Sequence, residues 1–193
     1  MVKLIQHFFK RNLVEEFLPP GSLGSVFKYG TDLLTMIMGN EADPDPKGWF
    51  IVHFKRHFVH IDSYDTLSYK DEIFPTKWNI SVSDDNDTWR VIDHNEEPMC
   101  SDANKYLKDD TKYFCNTNEQ KNHVVSYSGY FSFVKFILIE NSFMSPSKWQ
   151  NAIMFSGFEL NGYFVLDKGI TYKFQKCVIH TRFHIIVSIL LCC

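Results

Sequence analysis

The stretch from residue 75 to residue 93 limits the possible folds more than any other part of the chain. Trp78, Ile80 and Val82 alternate with polar residues, which is the two-residue period of a strand with one buried face. Residues 84–88 are short polar residues that favour tight turns, and a second apolar run begins at Trp89. This pattern predicts a β-hairpin with an acidic turn, in which both tryptophans are largely buried.

Composition favours one β-rich domain without a polyanionic partner. The 193 residues are 45% apolar and 16% aromatic, with eighteen phenylalanines, which is enough for one sizeable core. Flat rings pack well on pleated sheets, so these phenylalanines indicate strands. The formal net charge of −3 gives no reason to expect nucleic acid or an anionic membrane as a partner, since both select basic patches.

Further strands are predicted on both sides of the hairpin. Residues 49–54 are apolar on both faces and indicate a buried strand, and residues 61–69 indicate the next one. Residues 130–140 have strong β character, and residues 155–162 predict a closing strand. Between them, residues 96–124 are polar and irregular, so we expect a long excursion there with one short strand near Tyr113 and Phe114.

The two ends of the chain differ from the middle. Residues 1–18 carry apolar residues at helical spacing, and Pro19-Pro20-Gly21 stops the pattern, which predicts a short helical lead-in. Residues 183–191 are almost entirely apolar but too few to span a bilayer. They suit a last buried strand or an interface segment, and lipidation of the terminal Cys192-Cys193 is a less favoured alternative.

The cysteines and the first residues predict an intracellular (cytoplasmic) protein. The five cysteines are odd in number and follow no zinc spacing, so free thiols are expected. Residues 1–16 contain Lys3, Lys10 and Arg11, so they lack the uninterrupted apolar run of a signal peptide. No stretch is apolar for the roughly 18–20 residues that a transmembrane helix requires.

Candidate reactive or metal-binding groups are few. Asp84, Asp85 and Asp87 could suggest a calcium loop, but the spacing lacks the glycine and the distal glutamate of an EF-hand, so a structural turn is expected. The histidines at 53, 57 and 60, and those at 180 and 184, lack an accompanying third-ligand motif. No nucleophile elbow or phosphate-binding loop occurs. We therefore expect no enzyme, no metal and no cofactor, with a structural calcium ion the one possibility left open.

These segments together resemble the discoidin family, also called factor V/VIII type C domains. The hairpin is similar to that family's central hairpin, although Val82-Ser83-Asp84-Asp85-Asn86 replaces the usual Gly-Ser-Asn-Asp-Gly turn. Residues 155–162 resemble the family's closing strand, and residues 49–54 resemble the strand before the hairpin. The residues that carry the resemblance are Trp49, Tyr64, Pro75, Trp78, Ser83, Trp89, Glu159 and Gly162.

The resemblance implies an all-β antiparallel jelly-roll β-sandwich of the discoidin or galactose-binding-like type. The expected organisation is a helical, partly irregular lead-in over residues 1–40, the jelly-roll over 41–163, and an apolar C-terminal extension over 164–193. The lead-in and the extension depart from the family, which ordinarily stops after the strand that ends at Gly162.

The resemblance also implies a non-catalytic binding module that uses loops at one end of the barrel. Without a signal peptide, a protein partner is the expected ligand, and the alternative is a carbohydrate or a lipid head group bound by the same loops. Aromatic residues in these loops either stack on a ligand or plug the end of the barrel. The candidate ligand residues are Asp43, Asp45, Lys47, Tyr69, Phe74 and Trp149.

Overall fold

The protein is an antiparallel β-sandwich in a computed structural model that describes residues 2–5, 10, 12–20, 22, 25–27, 34–39, 47–105, 113–143 and 151–166. The described strands are β1 (Val2–Lys3), β2 (Val14–Phe17), β3 (Thr35–Ile37), β4 (Trp49–Phe54), β5 (His57–Leu67), β6 (Pro75–Ser83), β7 (Arg90–Asn95), β8 (Ala103–Lys105), β9 (Tyr113–Cys115), β10 (Gln120–Val124), β11 (Phe133–Asn141), β12 (Ile153–Phe155) and β13 (Gly157–Leu166).

Two antiparallel sheets form the layers of the sandwich. One has the strand order β1-β13-β5-β10, and the other has the order β2-β4-β11-β6-β7. Two small pairs, β3 with β12 and β8 with β9, lie outside these sheets. The neighbours β5 and β13 are far apart in sequence, as are β4 and β11, which is the jelly-roll arrangement that the resemblance implied.

Large aromatic side chains fill the space between the sheets. Phe50 of β4 stacks on Phe136 of β11, with ring centroids 5.1 Å apart. Phe158 of β13 meets both rings edge-on from the opposite sheet, at 5.0 and 5.9 Å. Trp78 of β6 is fully buried, as the alternation in the hairpin predicted. The alternating apolar residues of facing strands therefore form one continuous core.

The sandwich has two ends. At one end lies the β4–β5 turn, together with the acidic turn between β6 and β7. At the opposite end β5 finishes at Leu67, β6 starts at Pro75, and the approach to β4 passes through Lys47. We call this second end the loop end. It carries the segment between β5 and β6, residues 68–74, and the segment that joins β9 to β10.

The predicted helical lead-in is wrong for residues 14–17. These residues form the edge strand β2, in which Val14 pairs with Phe54 and Phe17 pairs with Ile51. Backbone pairing to the exposed edge of β4 outweighs the local helical spacing, because helix propensity is a weak preference. Leu4 and Ile5 have helical backbone geometry and are fully buried, and residues 6–9 lie outside the described residues.

The closing strand extends beyond the predicted boundary. β13 continues through Leu166, and Phe164 pairs with Val59 of β5 while Leu166 pairs with His57. The extension over residues 167–193, including the apolar run and Cys192-Cys193, lies outside the described residues. Among the described residues, no helix has the length and apolar character needed to cross a membrane.

Two of the cysteines expected to be free thiols are joined. Cys100, in the loop after β7, forms a disulfide with Cys115 at the end of β9, and their Cα atoms are 5.8 Å apart. Both residues are buried members of the main core cluster, to which Met99 and Phe74 also belong. The spacing of fifteen residues between them gives no sequence signal, because it is the fold that brings the two segments together.

Candidate functional site

At the loop end, residues 69–72 of the 68–74 segment are the best placed to contact a ligand. Lys70 and Asp71 are exposed, while Tyr69 and Glu72 are half-buried. Asp71 has a φ of 61°, so the chain reverses there through a left-handed residue, a conformation that aspartate tolerates better than most. An aromatic ring, an ammonium group and two carboxyl groups thus follow one another in a single short loop.

A second segment, residues 115–119, supports this loop through backbone and side-chain hydrogen bonds. The Lys70 amide donates to Oδ1 of Asn118 at 2.6 Å. The Asp71 amide donates to the carbonyl of Cys115 at 2.8 Å, and the Cys115 amide donates to the carbonyl of Glu72 at 3.3 Å. The hydroxyl of Ser68 accepts from the Glu119 amide at 2.8 Å. We call residues 68–74 and 115–119 together the loop cluster.

Two carboxyl groups of the loop cluster, those of Glu72 and Glu119, are partly shielded from water. Burial raises the pKa of the Glu72 carboxyl, and the neighbouring charge of Asp71 adds to this effect. Glu119 accepts hydrogen bonds from the amide and the hydroxyl of Ser101, at 2.7 and 2.6 Å. The cluster can therefore offer oriented donors and acceptors beside an aromatic ring, which suits a ligand rich in hydroxyl groups.

The candidate ligand residues that the structure describes all lie at the loop end, but in different environments. Tyr69 is half-buried and belongs to the loop cluster. Lys47 is half-buried, and its ammonium group donates to the carbonyl of Ile139. Phe74 is 3% exposed and packs in the core, so it plugs the end of the sandwich and offers no face to a ligand. Asp43, Asp45 and Trp149 lie outside the described residues.

The sequence pointed to the loop between β5 and β6 but missed its partner segment. Residues 115–119 belong to a region that was interpreted as an irregular excursion, because its residues are polar and unpatterned. The Asn-Thr-Asn run at 116–118 is a turn-forming composition that could have marked a structured loop. Nothing local indicates that this loop would receive the amides of Lys70 and Asp71.

Two of the residues that carry the family resemblance join the sheets from inside the core. Tyr64 and Trp78 are both fully buried, and the indole of Trp78 donates to the Tyr64 hydroxyl. That hydroxyl donates to Oδ2 of Asp93 at 2.6 Å. Burial and the Asp93 carboxylate together raise the pKa of Tyr64 far above its ordinary value, so it stays protonated as a donor.

Other residues that carry the family resemblance stabilise the start of a strand, a bulge and the N-terminal residues. Pro75 accepts from the Met99 amide at 2.9 Å, and the buried Glu159 accepts from the Ile5 amide at 2.7 Å. Gly162 lies at a bulge between β13 and β5, where a Cβ atom would come 1.9 Å from the His60 carbonyl oxygen. These residues act in the architecture, and none of them belongs to the exposed part of the loop cluster.

Both hairpin tryptophans were predicted to be largely buried; Trp78 is fully buried, whereas Trp89 is half-buried and does not belong to the core cluster. It lies just before β7 on the outer face of the five-stranded sheet. There the ammonium group of Lys135 lies 5.3 Å from the ring centre of Trp89 and 5.3 Å from that of Trp49. A cation between two indole rings explains why these tryptophans lie on the sheet surface.

The acidic turn at the opposite end is a self-contained structure. Oδ1 of Asp85 accepts from the amides of Asp87 and Thr88, at 2.9 and 2.8 Å, and from the Ser83 hydroxyl at 2.8 Å. These donors hold the pKa of Asp85 well below its ordinary value. Asn86 reverses the chain with a φ of 63°.

The three histidines near β4 and β5 are directed to separate partners. His53 stacks on Phe133 and meets Glu15, whose pKa is lowered by Lys55 and then by His53. His60 bonds the Gly129 carbonyl at 2.8 Å through Nδ1. Within the described residues, no three His, Cys, Asp or Glu side chains are grouped to hold a metal ion. His180 and His184 lie outside the described residues.

Comparison with known proteins identifies solved structures of similar fold but no matching protein-family model. No protein-family model matches the chain, and no curated protein sequence matches it. Among solved structures, CBM32-3 from a family 31 glycoside hydrolase of Clostridium perfringens aligns with a TM-score of 0.51 and 10% identity, covering 84% of this chain and 99% of that one. CBM32-1 from a family 31 glycoside hydrolase of the same organism aligns with a TM-score of 0.50 and 14% identity, covering 76% and 92%.

These alignments run over nearly the whole length of the two modules. At identities of 10% and 14% the likeness concerns the fold alone. The modules have a galactose-binding-like, or discoidin-like, fold, which is the fold class that the resemblance implied. The chain therefore has the antiparallel jelly-roll architecture of CBM32 modules.

Proposed function

We propose that the protein is a non-catalytic carbohydrate-binding module that binds its glycan at the loop end. The observation that carries the proposal is the loop cluster itself. Tyr69, Lys70, Asp71 and Glu72 lie in one loop whose backbone is held by residues 115–119. Sugars are recognised by an aromatic face combined with oriented hydrogen-bond donors and acceptors, and this loop carries both kinds of group.

The structural neighbours favour a carbohydrate over the protein partner expected from the sequence. The aligned modules are carbohydrate-binding modules, and they are parts of glycoside hydrolases rather than their catalytic domains. A preformed loop also reduces the ordering cost of binding a small ligand. A binding module needs no catalytic group, so no turnover of the bound sugar is expected.

Calorimetric titration with galactose, N-acetylgalactosamine and a panel of disaccharides tests the proposal. We expect saturable binding to at least one of these sugars. Replacing Tyr69 or Asp71 with alanine should weaken the affinity by about tenfold or more, which corresponds to the loss of one stacking or charged contact. Release of a shortened sugar during the titration would contradict the non-catalytic role.

Matched controls lie at the opposite end of the sandwich. Tyr130 is an exposed tyrosine there, and Asp84 is an exposed aspartate in the acidic turn. Tyr130→Ala and Asp84→Ala should leave the affinity unchanged. If the wild type binds none of the sugars but captures a protein through a surface that Tyr69→Ala abolishes, the protein-partner alternative is correct.

A further inference from the structure

The disulfide between Cys100 and Cys115 joins the loop cluster, which contains Cys115, to the loop after β7. Cys115 is fully buried and Cys100 is 2% exposed. The Cys115 backbone makes two contacts with the 68–74 segment, since its carbonyl accepts from Asp71 and its amide donates to Glu72. The cross-linked residue Cys115 is thus also one of the residues that hold the exposed loop through hydrogen bonds.

The other half of the disulfide is anchored to the sandwich. Cys100 follows Met99, whose amide donates to the carbonyl of Pro75 at 2.9 Å. Pro75 is the first residue of β6 in the five-stranded sheet. Ser101 bonds Glu119 through both its amide and its hydroxyl. A continuous connection therefore runs from β6 through Met99 and the disulfide to Cys115, and from there to the exposed loop.

Several backbone amides of the exposed loop have their hydrogen-bond acceptors in residues 115–119, the segment that the disulfide cross-links. The amides of Ser68, Lys70 and Asp71 all donate to residues 115–119. Asp71 has a left-handed backbone conformation, which persists when the surrounding structure constrains it. The main core does not depend on the disulfide in this way, because Trp78, Tyr64, Phe136 and Phe158 pack on one another.

From this arrangement we infer that Cys100 and Cys115 are positioning residues for the ligand loop, and that their disulfide preorganises residues 68–72 for binding. The predicted effect of the disulfide on ligand affinity depends on the proposed carbohydrate-binding function. Its structural part stands without a ligand. Preorganisation raises affinity because a loop already in its bound conformation loses less entropy when the ligand arrives.

Native-state hydrogen exchange on the full chain tests the structural part. In the double variant Cys100→Ala with Cys115→Ala, the amides of Lys70, Asp71 and residue 115 should lose protection. Their loss should exceed that of Val134 and Phe136 in the central strand β11 by about tenfold or more, because local opening exposes the loop without unfolding the sandwich. An equal loss at all five positions would show that the disulfide merely stabilises the whole fold, which would overturn the inference.

A core variant provides the matched control. Val82→Ala truncates a side chain that is 1% exposed near the acidic-turn end of β6. It should lower protection in β11, and it should lower protection at the loop by no larger factor, because it weakens the sandwich as a whole. Peptide mapping of the unreduced wild type should also show Cys100 joined to Cys115, and alkylation of both thiols in that sample would overturn the inference.

Sugar titration separates this inference from the proposed function. The double variant should bind the sugar identified for the wild type at least about tenfold more weakly, while Val82→Ala, measured below its unfolding temperature, should bind it normally. Unchanged affinity in the double variant would overturn the role in binding. Absence of binding in the wild type would refute the proposed function, and the exchange experiment would still decide whether the disulfide positions the loop.

Discussion

Trp78 and Tyr64 join the two sheets of the sandwich through a hydrogen bond of 2.9 Å from the indole nitrogen to the phenolic oxygen. Trp78 belongs to β6 in the five-stranded sheet, and Tyr64 belongs to β5 in the four-stranded sheet. Both side chains are fully buried. The bond lets two large aromatic residues with polar atoms enter the core without leaving those atoms unpaired.

Replacing Trp78 with alanine should therefore lower the free energy of unfolding by about 3–5 kcal/mol, the usual loss for a large aromatic residue in a core. Trp78→Phe should cost less, since it keeps most of the packing but removes the bond to Tyr64. Denaturant titration of the two variants and the wild type measures both effects. A loss below about 1 kcal/mol for Trp78→Ala would contradict the burial of this residue.

The hairpin shows what the sequence could and could not predict. Alternation in β6 identified the buried face correctly, because a two-residue period assigns every second side chain to one side. Trp89 was assigned to the core by the same reasoning, but it precedes β7 and lies outside the alternation. Its position depends on Lys135, which comes from a strand far along the chain. A local pattern contains no information about such a partner.

Edge elements were the other source of error. β10 was interpreted as irregular because an edge strand can be polar over most of its length, and only His123 of its five residues is buried. β2 was interpreted as helix for a similar reason, since its short apolar spacing fits two periods equally well. The loop end could be predicted only as a place where loops meet. Its disulfide and its hydrogen bonds depend on contacts between distant segments.

His123 should make the fold sensitive to mild acid. Burial lowers its pKa, with nearby Lys121 acting in the same direction and Asp93 opposing it. Asn95 donates to Nδ1 of His123 at 2.9 Å, which requires the neutral ring. The unfolded chain takes up this proton near pH 6.5, whereas the folded protein takes it up only at lower pH. Stability is thus fully present above about pH 6.5 and falls as the pH drops below it.

Thermal unfolding measured between pH 7.5 and pH 5 tests this effect of His123. The wild type should lose stability across this interval, and His123→Gln should show a flatter profile. His94 is an exposed histidine of β7, so His94→Gln should keep the wild-type profile. Parallel curves for the wild type and His123→Gln would show that another group is responsible.

The acidic turn should not respond to calcium. Oδ1 of Asp85 is already occupied by two amides and the Ser83 hydroxyl. Replacing Asp84, Asp85 and Asp87 together with asparagine should leave the effect of calcium on the melting temperature unchanged. Differential scanning calorimetry with calcium and with a chelator measures this. A calcium-dependent rise in the wild type that the triple variant loses would identify the turn as a metal site.

Gly162 should tolerate no side chain. A Cβ atom there would approach the backbone carbonyl oxygen of His60 to 1.9 Å, and backbone cannot move aside as a flexible side chain can. Gly162→Ala should separate β13 from β5 at the bulge and lower the free energy of unfolding by about 1–3 kcal/mol or more. Chemical denaturation measures the loss, and a variant as stable as the wild type would show that the bulge can rearrange.

The end of β13 can be located with two truncations. Residues 164–166 pair with residues 57–59 of β5, and Phe164 packs against the core. A chain that ends at Leu166 keeps all of this pairing, so it should unfold cooperatively. A chain that ends at Tyr163 loses the pairing and a half-buried phenylalanine, and it should be less stable by about 1–3 kcal/mol. Urea titration of both chains beside the full-length protein gives the comparison. Equal stability of the two truncated chains would return the boundary of the sandwich to residue 163, and failure of both to fold would make residues 167–193 part of the domain.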